Sequence, residues 1–184
     1  MRHLLAALTL AAGLVSAPPA LARQDDAGLD ALFDELYTAP DAGAARRIEQ
    51  EIWRLWIASG SETIDLLVHR GSLSMAEGDY DVALTIFNSV VELDPEFAEG
   101  WNKRATLYYL MGRFDASVAD IQHTLGLEPR HFGALSGLGM IYSALDDDER
   151  ALKAYRKALE VNPHLPGARA AVIHLRKKLK GEGI

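Results

Sequence analysis

The chain has 184 residues, 49% of them apolar and 24% charged, a balance that excludes a disordered chain or a polytopic membrane protein. It contains no cysteine, which removes disulfide frameworks, thiolate metal sites, cysteine nucleophiles and a lipidated cysteine. The formal net charge of -7 has the wrong sign for a general nucleic-acid binder.

The first segment reads as an address. Arg2 and His3 precede an uncharged run from Leu4 to Val15, Pro18 and Pro19 interrupt it, and Ala20-Leu21-Ala22 supplies a small-x-small cleavage pattern. This is the layout of a secretory signal peptide over residues 1–22. The uncharged run is too short for the roughly 20 residues of a membrane-spanning helix, which argues against its retention as an anchor. Export to the periplasm with cleavage after Ala22 is the expectation, leaving no integral membrane span.

Residues 23–63 follow as a helical hairpin. Leu29, Leu32, Phe33 and Leu36 share one face over 28–38, Pro40-Asp41 breaks the chain, and Ile48, Ile52, Trp53, Leu55 and Trp56 recur at helical spacing over 42–58. The pair is expected to pack on the element that follows it.

From residue 64 onward a 34-residue period organises the chain. Pro95, Pro129 and Pro163 each close a similar phrase, dividing the sequence into blocks 64–97, 98–131 and 132–165. Large apolar residues recur as Leu67, Trp101 and Leu135 and as Phe87, Ile121 and Tyr155. Small ones recur as Gly71, Ala105 and Gly139 and as Ala83, Ser117 and Ala151. Each block therefore holds two amphipathic helices that cross closely at the small residues. Gly78, Gly112 and Asp146 stand where the first helix must stop in a left-handed cap, and Asp81 and Asp115 are candidate N-caps for the second. Pro166 opens a last helix through Leu179, within a 166–184 segment that serves as a capping helix and tail. Its Arg169–Lys180 stretch reads as a solvated face in preference to a contact with anionic lipid.

The three blocks resemble the tetratricopeptide repeat. The match is fullest in the third, with Leu135, Leu138, Gly139, Tyr142, Ala151, Tyr155, Ala158 and Pro163. Arg70 and Arg104 replace the usual leucine, Ser74 the usual tyrosine, and Val90 and Thr124 the usual small residue. The two arginines read as structural, each laying its stem on apolar surface and reaching a carboxylate such as Asp94, Asp120 or Glu128. The resemblance implies an all-α fold: an α-α superhelix of helical hairpins, capped by the C-terminal helix. It also implies a concave groove that binds a protein or peptide segment. Carried over residue by residue, the groove is lined by Asp65, Val68, Ser72 and Met75, then Glu99, Asn102, Thr106 and Tyr109, then Gly133, Ser136, Met140 and Ser143, with Lys103 and His69 at its border. Asn, Ser and Thr there can bond a peptide backbone, and Met and Tyr offer adaptable apolar contact. Lys103 alone does not make the cationic clamp that family members use for an acidic C-terminus.

No catalytic or metal-binding constellation stands out. The six histidines form no i, i+4 pair flanking a glutamate, and Gly133-Ala-Leu-Ser136-Gly137 is one residue too wide for a nucleophile elbow. Asp146-Asp147-Asp148-Glu149 lacks the alternation of a calcium loop. Neither an enzyme, a cofactor, a metal nor a nucleic-acid partner is expected. The sequence reads as a periplasmic adaptor in envelope assembly or maturation. A self-associating envelope protein, joined through exposed Trp53, Trp56 or the end helices, is the alternative.

Overall fold

A computed structural model describes residues 27–181, so the proposed signal peptide lies outside the described residues. Among them the chain forms helices and no strands: α1 (Ala27–Tyr37), α2 (Ala42–Ile57), α3 (Glu62–Glu77), α4 (Tyr80–Leu93), α5 (Ala98–Leu110), α6 (Phe114–Leu127), α7 (Phe132–Ala144), α8 (Asp148–Val161) and α9 (Pro166–Leu179).

The three hairpins α3–α4, α5–α6 and α7–α8 are built alike because the same positions do the same work. Gly78 and Gly112 have φ of 86° and 70°, and Asp146 takes φ of 55° at the matching place. Beyond each cap the chain turns back through one bond: Asp79 N–H to Ser74 O, Arg113 N–H to Tyr108 O, and Asp147 N–H to Tyr142 O, at 2.9, 2.8 and 2.9 Å. The small residues sit where the helices cross. A Cβ on Gly71 would lie 2.8 Å from the Phe87 ring, and one on Gly139 equally close to Tyr155. In the middle hairpin Ala105 takes that place, and Ser117 Oγ donates to its carbonyl at 2.7 Å.

The expected N-caps fall elsewhere. Helix α4 starts from Asp79 and α6 from Arg113, neither making a side-chain cap bond. Asp81 and Asp115 lie inside the first turn, where a carboxylate faces the positive end of the helix dipole without closing it. Only Asp147, at the same register before α8, accepts an N–H, from Arg150.

Helices α5, α7 and α9 each pack on the second helix of the hairpin before them. Ala105, Ile121, Ala134 and Ile141 form the seam between the middle and third hairpins. Ala151, Tyr155, Ala168, Val172 and Leu175 form the seam under α9, which thus covers the last hairpin.

The N-terminal hairpin α1–α2 departs from this stacking. It does not pack on the first repeat as its position in sequence suggests. Its core of Leu29, Phe33, Leu36, Ala45, Ile52 and Trp56 closes on Phe132 of α7, with Val161 and Leu165 against it. The linker from α2 to α3 contains Gly60 at φ 73°, a left-handed step that glycine takes without steric cost. Ser59 N–H then bonds Asp65 Oδ1 at 2.8 Å, fixing the chain as it enters α3.

Candidate functional site: a groove that holds its own helix

Helix α2 lies across the concave face. Its 16 residues extend about 24 Å at 1.5 Å per residue, long enough to pass several first helices. Read backward from its C-terminus, its contacts advance along the repeats. Trp56 stacks on His131, ring centroids 4.2 Å apart and planes within 10°. Trp53 stands edge-on to His131 and Phe132 and fills the space above Gly133. A Cβ at Gly133 would lie 2.7 Å from the Trp53 ring, so the helix–groove approach depends on that glycine. Glu49 Oε1 accepts from Asn162 Nδ2 at 2.8 Å. Beside the N-terminus of α2, a cleft of about 750 Å³ separates it from α9, with Ala42, Ala45, Pro166 and Ile173 among its walls. Helix α1 adds an ion pair, Asp30 with Arg130 at 2.6 Å, and the Arg130 guanidinium covers the Phe33 ring.

Beneath the two tryptophans lies a buried polar network. His131 is fully buried, and its Nδ1 accepts the N–H of Ala134 at 3.0 Å. The proton therefore sits on Nε2, which donates to Glu99 Oε2 at 3.1 Å. Asn102 Nδ2 donates to the same oxygen at 2.8 Å, and the Lys103 ammonium lies 3.2 Å from Oε1. Burial alone would push the Glu99 carboxyl up. The His131 hydrogen bond, the Lys103 charge and the Asn102 hydrogen bond outweigh it and hold the group below the ordinary glutamate range. The network thus carries a carboxylate inside the protein, with Oε2 hydrogen-bonded twice and Oε1 balanced by the Lys103 charge without a hydrogen bond.

The sequence-predicted lining divides into two groups. Toward the N-terminal ends of the first helices, Val68, Glu99 and Asn102 are buried, Asp65 holds the linker, and Lys103 is paired with Glu99. These residues support the hairpin. Toward the other ends, Thr106 and Met140 are exposed, and Ser72, Met75, Tyr109, Ser136 and Ser143 are half-buried. Met75 packs partly beside Tyr80 and Leu84, while His69 is exposed. Between α5 and α7 a small pocket of about 80 Å³ remains, walled by Asn102, Thr106, Tyr109, Gly133, Gly137 and Met140.

Two sequence expectations need correction. Trp56 is buried and Trp53 half-buried, because both are used inside the chain, so they are not an exposed self-association surface. Arg104 and Arg70, which share a repeat position, behave differently. Arg104 makes a bidentate pair with Asp120 at 2.7 and 2.9 Å, donates to Asn88 at 2.9 Å and lies over Trp101. Arg70 is exposed, and Ile86 stands where its hairpin would need the carboxylate that Asp120 supplies to Arg104. Sequence reading also passed over His131 as one histidine among six. Its place immediately before a first helix, in the N-cap position, was the available signal.

The stacked hairpins, the groove along the first helices and the side-on helix within it define an α-solenoid binding scaffold. The tetratricopeptide repeat family matches at residues 70–121 and 133–165. A TPR repeat-containing protein of Rhizobium etli is 40% identical over 153 residues, 83% of this chain and 75% of the relative. The chain belongs to the tetratricopeptide repeat family. By contrast it spans only 27% of a second relative, the small glutamine-rich tetratricopeptide repeat-containing protein 2 of Saccharomyces cerevisiae, at 28% identity over half of this chain.

Solved structures share the fold. The first TPR of Spaghetti bound to an HSP90 peptide superposes with a TM-score of 0.62 at 24% identity, covering 65% of this chain and 95% of that one. MamA covers 83% of this chain and 81% of its own, with a TM-score of 0.59 at 20% identity. The Yersinia enterocolitica secretion chaperone SycD, in complex with a peptide of the translocator YopD, gives 0.60 at 14% identity over 64% of this chain and 95% of that one.

Proposed function

We propose that the protein is a non-enzymatic, exported scaffold that captures a segment of a partner protein in its concave groove, serving envelope assembly or maturation in the periplasm. One observation carries the groove reading: the concave face already holds a helix, seated by two tryptophans and leaving an open stretch at Thr106, Tyr109 and Met140. A surface shaped to bind its own helix has the form and chemistry to bind another segment alongside it. Two of the structurally similar proteins were solved with peptides bound, which supports the same use here. The periplasmic location rests on the residues 1–22 pattern.

The test has two parts. Fractionation of cells producing the full chain should recover a product beginning at Arg23 in the periplasm, and recovery of the uncleaved chain in the cytoplasm would sink the export reading. Capture from an envelope extract should then be compared between the native protein and a Thr106→Glu, Tyr109→Ala, Met140→Glu variant. Thr106 and Met140 are exposed, whereas Tyr109 packs beside Phe114 and the seam of the third hairpin, so equal helicity with a modestly lower melting temperature is expected. A partner lost only by the variant supports groove capture. Identical capture by both excludes the open groove as the working surface.

A further inference from the structure

Because α2 is laid across the groove, α3 has no helix behind it. The consequence shows in two columns of the repeat. Leu73 aligns with Leu107, Ile141 and Leu175, and Leu66 with Gly100, Ala134 and Ala168. In α5, α7 and α9 Leu107, Ile141 and Leu175, like Ala134 and Ala168, are buried, and Gly100 is close enough to Val90 that a Cβ would approach it to 2.8 Å. In α3 the same columns are open: Leu66 is 59% exposed and Leu73 50%. Val82 and Leu93 of α4 are exposed on the same hairpin.

The vacant face does not suit this chain's own hairpin in the regular repeat register. Where stacked helices carry Gly or Ala, α3 carries Leu66, whose bulk prevents that spacing. The opposite end shows the same substitution. Ile173 of α9 occupies the column of Gly71, Ala105 and Gly139 and is 54% exposed. Both ends of the solenoid thus present a large apolar residue where interior contacts require a small one.

Charge distinguishes the two ends. Residues 62–97 carry eight acidic residues and one arginine, whereas 166–181 carry five basic residues and no acid. Glu62, Glu77, Asp79, Asp81 and Glu92 are exposed at the first end, and Arg169, Arg176, Lys177 and Lys180 at the last. Lys178 is held within the chain by Asp148, and Arg169 donates to the Pro163 carbonyl at 2.6 Å.

We propose that the α3–α4 face is a docking surface for a second copy of this chain, which presents the α9 end. Leu66 and Leu73 meet the apolar patch around Ile173, and the acidic rim meets Arg176, Lys177 and Lys180. The contact is heterologous, so each copy keeps one free face of each kind and association continues head to tail. A symmetric pairing of two α3–α4 faces would set acid against acid. The proposal does not depend on the groove and stands or falls apart from it.

Sedimentation velocity of the purified protein at several concentrations, in low and high salt, tests it. The mass should rise with concentration at low salt and fall back toward the monomer at high salt, since exposed charges are screened over a Debye length of about 10 Å at 0.1 M. Leu66→Glu with Leu73→Glu breaks one face, and Arg176→Glu with Lys177→Glu and Lys180→Glu breaks the other; circular dichroism should show both folded. Each variant alone should remain monomeric. An equimolar mixture, retaining one intact face of each kind, should give a species of twice the monomer mass and nothing larger. A monomeric native protein at every concentration overturns the proposal. So does continued dimerisation of the α9 variant alone, which would mark symmetric α3–α4 pairing.

Discussion

Trp56 lies flat on His131, with ring centroids 4.2 Å apart, and that contact joins the N-terminal hairpin to the start of the third repeat. His131 holds two positions in the structure at once. It caps α7 through Nδ1 and braces Glu99 through Nε2. The stack therefore couples α2 to a polar network that would otherwise belong to the repeats alone. Trp56 Nε1 is itself buried without a hydrogen-bond partner, so its contribution is apolar and aromatic. Trp56→Phe should change stability little, while Trp56→Ala should cost about 3–5 kcal/mol, as for other large aromatic truncations. Urea denaturation of the two variants measures both. Equal losses would show that the site depends on the indole itself and not on an aromatic ring that fills it.

A sign reversal is expected at Gly133. In an exposed helix, Gly→Ala stabilises by roughly 0.5–1 kcal/mol. Here the new Cβ would meet the Trp53 ring at 2.7 Å, so Gly133→Ala should destabilise the docked hairpin. Placed on a Trp53→Ala background, the same substitution should stabilise the protein, a non-additivity expected for residues in contact. A double-mutant cycle with hydrogen exchange over 42–57 reads it. Additive effects would mean that α2 does not rest on Gly133.

Acid should loosen the groove through Glu99. Its carboxyl is held below the ordinary range, so the folded state binds fewer protons than the unfolded chain as pH falls. The resulting stability is fully present above the unfolded value of about 4.3 and is lost as pH drops through the lower folded value. Glu99→Gln should flatten that part of the stability profile below about pH 4. An unchanged acid slope in the variant would assign the dependence to other carboxylates.

The two arginines at one repeat position should give opposite results. Asp120→Ala strips Arg104 of its bidentate partner in a mostly buried setting and should cost about 3 kcal/mol or more. Arg70→Ala removes an exposed side chain and should stay within about 0.5 kcal/mol. Thermal melts of both suffice. Comparable losses would imply that Arg70 makes a stabilising contact of its own.

The repeat architecture was legible in the sequence because its causes are local and recur. A glycine at a left-handed cap, a small residue at a crossing and an apolar stripe at helical spacing each act within one hairpin, and three copies in register reinforce the reading. The lining of the groove was legible for the same reason, being a set of positions on the first helices. What those positions do was not legible. Glu99, Asn102 and Lys103 look like solvent-facing groove residues in sequence, yet they pair with one another and with His131 beneath Trp56.

The tertiary structure decided where the N-terminal hairpin goes. Its length and its linker are those of one more repeat, so sequence order places it on α3. Its path is set instead by contacts between residues far apart in the chain: Asp30 with Arg130, Glu49 with Asn162 and Trp53 with Gly133. No periodicity links such pairs, and a single left-handed step at Gly60 is enough to redirect the helix. Local chemistry thus specified the hairpins and their stacking by itself. The filling of the groove, and the bare face of α3 that follows from it, arise only from the free energy of the folded whole.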